Sequence, residues 1–175
     1  HTMIHCGDCL DILPTLPQVD AVVTSPPYGM PLDRVLRALR RVLVPSGTCW
    51  VLLDDAPVAL VRSYTDDEWS LGSVTEVGHH ERLYCLHVTA QPPPPRYVAH
   101  APDERVVCDI YAPMSAALVT YCVTTSTRVG DLVLDPFCGI GTTGRVCAAL
   151  ERSFIGVEID PMRVALAASH IARHK

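Results

Sequence analysis

The chain has 175 residues, 49% of them hydrophobic and 19% charged, with a formal net charge of -5. That length supports one hydrophobic core and leaves too little for two comfortable domains, so residues 1–175 read as a single domain. The acidic balance excludes a wholly basic, sequence-blind nucleic-acid binder while leaving room for a local positive groove, and no apolar run approaches a membrane span.

In chain order, short apolar and β-branched runs predict strands at residues 3–6, 21–24, 48–53, 83–89, 132–134 and 154–157. His1 and Thr2, ahead of Met3, read as an expression remnant, and the opening lacks the plan of a secretory signal. Helices are predicted over 32–44, 115–124, 142–150 and 161–174. In the first of these Leu32, Val35, Leu36, Leu39, Val42 and Leu43 fall at helical spacing, stopped by Pro45 and Gly47. Arg34, Arg37, Arg40 and Arg41 lie opposite that stripe; they could touch phosphates or simply form a solvated face. Residues 90–113 hold Pro92 to Pro95, Pro102 and Pro113, break both periodicities and read as loop. The alternation implies an α/β fold with a mostly parallel central sheet and helices on both faces. Eight cysteines sit mostly in apolar segments, which suits reduced thiols and a cytoplasmic setting. Cys6 and Cys9 have C-x-x-C spacing, but no second Cys/His pair occurs at zinc spacing, so no metal site is expected.

Two segments carry chemistry. The run Leu132-Val133-Leu134-Asp135 is a strand ending in a carboxylate, after which Gly139 and Gly141 permit a tight turn into a helix at Thr142. Glycine lets a ligand approach the backbone closely, and the helix N-terminus offers N–H donors. The next strand ends in Glu158, whose carboxylate could accept hydrogen bonds from both hydroxyls of a ribose. Asp135 just ahead of the loop repels phosphate but can hold a cationic amino group, which suits S-adenosylmethionine better than a dinucleotide. Earlier in the chain, the predicted strand 21–24 delivers Ser25-Pro26-Pro27-Tyr28. Two prolines stiffen that turn and remove competing N–H donors. The Ser25 hydroxyl and the Pro26 carbonyl could accept both N–H bonds of an aromatic exocyclic amine, leaving its lone pair free to attack, while Tyr28 stacks on the ring. Each segment also has a purely structural reading, as a bend that ends a strand.

With both segments in hand, the chain resembles the beta class of DNA amino-methyltransferases, permuted enzymes in which the catalytic tetrapeptide precedes the S-adenosylmethionine loop. The resemblance implies a Rossmann-like methyltransferase domain with a seven-stranded sheet and one antiparallel strand. Gly7-Asp8-Cys9-Leu10-Asp11-Ile12-Leu13 is similar to the family's opening segment, which places Asp8, with Cys9, near the cofactor adenine. Asp135-Pro136-Phe137-Cys138-Gly139-Ile140-Gly141-Thr142-Thr143 is similar to its cofactor loop, and 154–160 to its ribose strand. Pro113 and Met114 resemble the segment beside the methionine moiety, and Thr24 adjoins it. Ser25, Pro26, Pro27 and Tyr28 are the implied catalytic residues.

The activity implied by the resemblance is methyl transfer from S-adenosylmethionine, leaving S-adenosylhomocysteine, to a flipped base of double-stranded DNA in a prokaryotic or phage setting. A serine heading the tetrapeptide leans towards N4 of cytosine, with N6 of adenine as the alternative. Carbon-5 methylation is disfavoured, since no proline here precedes a cysteine. A restriction endonuclease and a homodimer are implied partners; a membrane is not. The rival from another class is a cofactor-binding regulatory module that does not methylate. RNA-base and protein-glutamine methyltransferases generally place the glycine loop first. The chain departs from the family in having few residues between Tyr28 and the helix at Leu32, and a short 90–113 region for reading base edges. A natural or engineered minimal enzyme would account for this; so would chain missing near Met30 and Pro31 or within 90–100, which would separate consecutive α-carbons there by more than ~3.8 Å.

Overall fold

The computed structural model describes residues 1–27, 30, 32–54, 69–77, 81–87 and 114–173. Tyr28, Gly29, Pro31, the proline-rich region 90–113 and the two steps expected to be interrupted lie outside the described residues.

Seven strands form one sheet: β1 (Thr2–Cys6), β2 (Val19–Thr24), β3 (Leu43–Asp54), β4 (Ser70–Val77), β5 (Glu81–His87), β6 (Leu132–Asp135) and β7 (Ser153–Glu158), in the order β1-β7-β6-β2-β3-β5-β4. Every pairing is parallel except those of β5, which runs against both β3 and β4. This is the mostly parallel sheet with one reversed strand that the family resemblance implies. β2 owes its central place to a run, Val19 and Ala21 to Thr24, with no exposed residue, which only a strand covered on both faces can bury.

Helices cover both faces. On one side lie α1 (Cys9–Ile12), continued by a short 3-10 turn at Leu13–Thr15, and α2 (Leu32–Val42). Leu32, Val35, Leu36, Leu39 and Val42 of α2 pack with Cys9, Leu13, Val22, Leu134, Ile155 and Val157. On the other side, α3 (Ala116–Ser126), α4 (Thr142–Ala149) and α5 (Pro161–Ala172) bury Leu118, Val119, Cys122, Val146, Cys147 and Ile171 against Val23, Val133 and Phe154. Local chemistry sets the helix starts. Ser115 accepts a hydrogen bond from Leu118 N, and Asp160 accepts one from Met162 N with Pro161 in the first turn.

The elements differ from expectation most at three places. α2 ends at Val42, and the chain passes into β3 through an irregular stretch where the register jumps from Val19↔Leu43 to Ala21↔Thr48; Pro45 and Gly47 sit in that stretch and do not terminate a helix. β4 has no counterpart among the expected strands, because its outer position needs little apolar content: Gly72 and Ser73 are exposed and a register shift lies between Leu71 and Ser73. β1 starts at Thr2, one residue earlier than expected, and His1 O accepts from Phe154 N at 2.8 Å.

The seam between α4 and β7 is tight. A Cβ on Gly144 would meet Phe154 Cε1 at 2.7 Å and would also overlap Ile171. We therefore expect Gly144→Ala to lower stability by about 1–2 kcal/mol, overpacking outweighing the gain in helix propensity. A urea midpoint that stays or rises, at unchanged slope, would contradict this packing.

Candidate active site

Because β1, β7, β6 and β2 are adjacent and parallel, their carboxyl ends share one rim, along which Cys6, Glu158, Asp135 and Thr24 stand in that order. Open α/β sheets bind ligands at such a rim. The two segments singled out in the sequence meet here. Thr24 Oγ1 donates to Asp135 Oδ1 at 2.8 Å, joining residues 111 positions apart and fixing the Ser-Pro-Pro turn beside the glycine loop.

Asp135 is buried and its carboxylate is surrounded by donors. Phe137 N also donates to Oδ1, at 3.1 Å, and Thr143 Oγ1 to Oδ2, at 2.7 Å. Desolvation nonetheless pushes its pKa up to about 6, with Glu158 adding to the rise while the three hydrogen bonds oppose it. One carboxylate thus ties β2, the start of the loop and the first turn of α4. Thr142 and Thr143 are buried, and Cys138 lies under the loop against Gly156.

The loop itself is held from behind. Glu158 Oε2 accepts from Gly139 N and Oε1 from Asp160 N, both at 3.0 Å. Gly139 has φ +52 and Gly141 φ +87, values that favour glycine. A Cβ on Gly139 would meet nothing within 4 Å, so the loop's crown faces open space, whereas one on Gly141 would press on Ala167 at 3.0 Å. Phe137 and Ile140 are half-buried on either side of this crown. Cys6 ends β1 next to Glu158, and Gly7 N donates to Glu158 O at 3.0 Å. Asp8 caps α1 through Leu10 N at 2.8 Å, which brings Asp8 and Cys9 to the same rim, Cys9 buried and its thiol pushed up to about 11 mainly by desolvation.

In the Ser-Pro-Pro turn, Ser25 is half-buried, Pro26 buried and Pro27 exposed. Among the described residues nothing engages the Ser25 hydroxyl. Pro27 O accepts from Met30 N at 3.3 Å, turning the chain towards α2. Met114 is buried at the start of α3, against the second core cluster; Pro113 and Tyr28 lie outside the described residues. The sequence reading missed α5's part. Ala167 packs on Gly141, and the His170 ring Nδ1 lies 3.1 Å from Ile140 O, so α5 grips the loop from the side away from the rim. A small residue and a histidine one turn apart on an otherwise unremarkable helix give no local signal of that.

Parts of the chain, and its fold, are similar to those of known proteins. Residues 95–169 match the family model described as DNA methylase. A 61-residue segment is 39% identical to the type II methyltransferase M.Cfr9I of Citrobacter freundii, covering 35% of this chain and 20% of that protein. A 44-residue segment is 50% identical to the DNA adenine methyltransferase YhdJ of Escherichia coli, covering 25% of this chain and 15% of that one. The matched segments thus span about a fifth or less of the relatives' own length. The fold is similar to that of the M1.HpyAVI–SAM complex, with a TM-score of 0.77 over 98% of this chain and 99% of that one at 22% identity.

Asp135 makes the site's stability pH-dependent in a definite direction. With its folded pKa about 6 against 3.8 unfolded, the native state holds the extra proton between those values, so stability falls as pH rises through that window. Asp135→Asn keeps an acceptor for Thr24 and Phe137 and a group that can meet Thr143. The variant should gain on the wild type by on the order of 2–3 kcal/mol between pH 4 and pH 7. Parallel stability curves in chemical denaturation across that range would contradict a buried carboxylate here.

Proposed function

We propose that this chain is a member of the N6/N4 DNA methylase family and the catalytic domain of a DNA amino-methyltransferase that uses S-adenosylmethionine and acts on an exocyclic amine of a flipped base. The observation that carries the reading is the Thr24–Asp135 hydrogen bond, which sets an amine-binding turn and an open glycine loop side by side.

The residues present fit the cofactor. The crown at Gly139 leaves room where any side chain would intrude, and the acidic groups beside the loop, Asp135 and Glu158, disfavour a phosphate there. Glu158, fixed by two backbone donors, would take the ribose hydroxyls; Asp8 and Cys9 would border the adenine; Phe137, Gly139 and Gly141 would line the loop side. Thr24, Thr142, Thr143, Cys138 and Met114 support that wall from within the core or the rim. Bound there, S-adenosylmethionine supplies a methyl group made electrophilic by its positive sulfur.

The chain's own contribution is to make a poor nucleophile react. An aromatic amine is unreactive because its lone pair is delocalised into the ring. The Ser25 hydroxyl and the Pro26 carbonyl can accept its two N–H bonds, which favours a tetrahedral nitrogen with the lone pair directed out of the ring plane. No strong base is required first: the surplus proton appears only once the nitrogen has become cationic, and from there it can leave to water. Proline at both following positions holds these acceptors rigidly, so little reorganisation is needed. Base flipping is required because the amine is otherwise inside the duplex.

Serine at the head of the turn places N4 of cytosine ahead of N6 of adenine in this reading. Tritium transfer from labelled cofactor into plasmid DNA, combined with mass spectrometry of the modified base, tests both parts. Cofactor binding with no incorporation would favour a regulatory module that does not methylate. Ser25→Ala should leave cofactor affinity within about two-fold while slowing transfer about 100-fold, in line with loss of one aimed polar group. Loss of cofactor binding in the same variant would count against the role given to Ser25.

A further inference from the structure

We infer that the outward face of α2 carries the phosphate backbone of the duplex that flanks the target base. This inference rests on the reading of the site as one that acts on DNA. α2 holds four of the chain's 14 basic residues within 11 positions, against a single acid, Asp33. The buried stripe on Leu32, Val35, Leu36, Leu39 and Val42 fixes the helix's rotation, so its other face is committed to solvent.

On that face Arg34, Arg37 and Arg41 are exposed and stand at i, i+3 and i+7, one line along the helix. Among the described residues none of the three has an ion-pair or hydrogen-bond partner, although Asp33 stands four positions before Arg37. In a chain where 19 acids outnumber 14 bases, three exposed arginines in one line on a single helix face mark a local positive surface that the overall charge does not supply.

Position adds the second argument. Pro27 O holds Met30 N at 3.3 Å, and α2 starts at Leu32, so the helix leaves directly from the turn assigned to the reacting amine. As the crossover between the parallel strands β2 and β3, α2 runs from the rim back along the flank, with Arg34 in the turn nearest the rim. From Arg34 to Arg41 the row extends about 10 Å at 1.5 Å per residue, the axial length of roughly three phosphates on one strand. Guanidinium groups present flat, forked donors that match phosphate oxygens.

The test compares DNA affinity across a salt series for the wild type, the triple variant Arg34→Gln/Arg37→Gln/Arg41→Gln and a charge-matched control, Arg128→Gln/Arg163→Gln/Arg173→Gln, whose three sites are exposed and lie off α2. Glutamine preserves helix propensity, and unchanged cofactor affinity verifies that each variant is folded. The α2 variant should flatten the slope of log K against log salt by about 2.7, roughly 0.9 per lost contact, and weaken binding at least ~10-fold at about 100 mM salt. The control should track the wild type. Equal slopes for wild type and α2 variant, with methyl transfer intact, would overturn the α2 surface and leave the proposed function standing; so would a control that flattens as much as the α2 variant. A wild type that neither binds nor methylates DNA would overturn both.

Discussion

One buried carboxylate organises this molecule's rim. Asp135 accepts from a strand, a loop and a helix at once, through Thr24, Phe137 and Thr143. Removing a carboxylate from water is unfavourable by several kcal/mol, and three hydrogen bonds do not fully offset it, as the upward pKa shows. A protein keeps such a group where it secures a geometry that apolar packing cannot. Here that geometry is the spacing between the turn that presents Ser25 and the loop that presents Gly139.

The same interaction explains why the site can be stiff on one side and open on the other. Behind the loop the contacts are close: Glu158 occupies two backbone donors, Ala167 closes on Gly141, and His170 faces Ile140 O. In front, the crown at Gly139 and the Ser25 hydroxyl have nothing against them among the described residues. A ligand entering there meets groups already in place, which lowers the ordering required on binding.

Much of this was legible in the sequence because it is written in short, local signals. The burial of β2 comes from an apolar run, the turn from two prolines, the loop from glycines whose φ values demand them, and the capping of α5 from Asp160-Pro161. What was not legible depends on contacts between distant elements. Asp135 reads from sequence as an acid available to a ligand; only the fold reveals that Thr24, Phe137 and Thr143 already surround it. His170 and Ala167 acquire their roles through a helix packing on a loop about 30 residues earlier. β4 escaped because an outer strand with one paired side carries too weak an alternation to stand out.

The order of motifs in the chain, with the amine turn first and the glycine loop last, is physically neutral for this site. What the chemistry requires is that the carboxyl ends of β2, β6 and β7 be neighbours, and the sheet order supplies that whatever the chain order. Parallel pairing makes all three strands deliver their loops to the same rim, and the cross-strand register of Ala21 with Val133 and Val22 with Leu134 brings Thr24 level with Asp135. The connection between the two turns can therefore be long, because the turns are joined through adjacent strands of the sheet and not through contiguous chain. A single hydrogen bond between adjacent strand ends does the joining that contiguity in sequence would otherwise have to do.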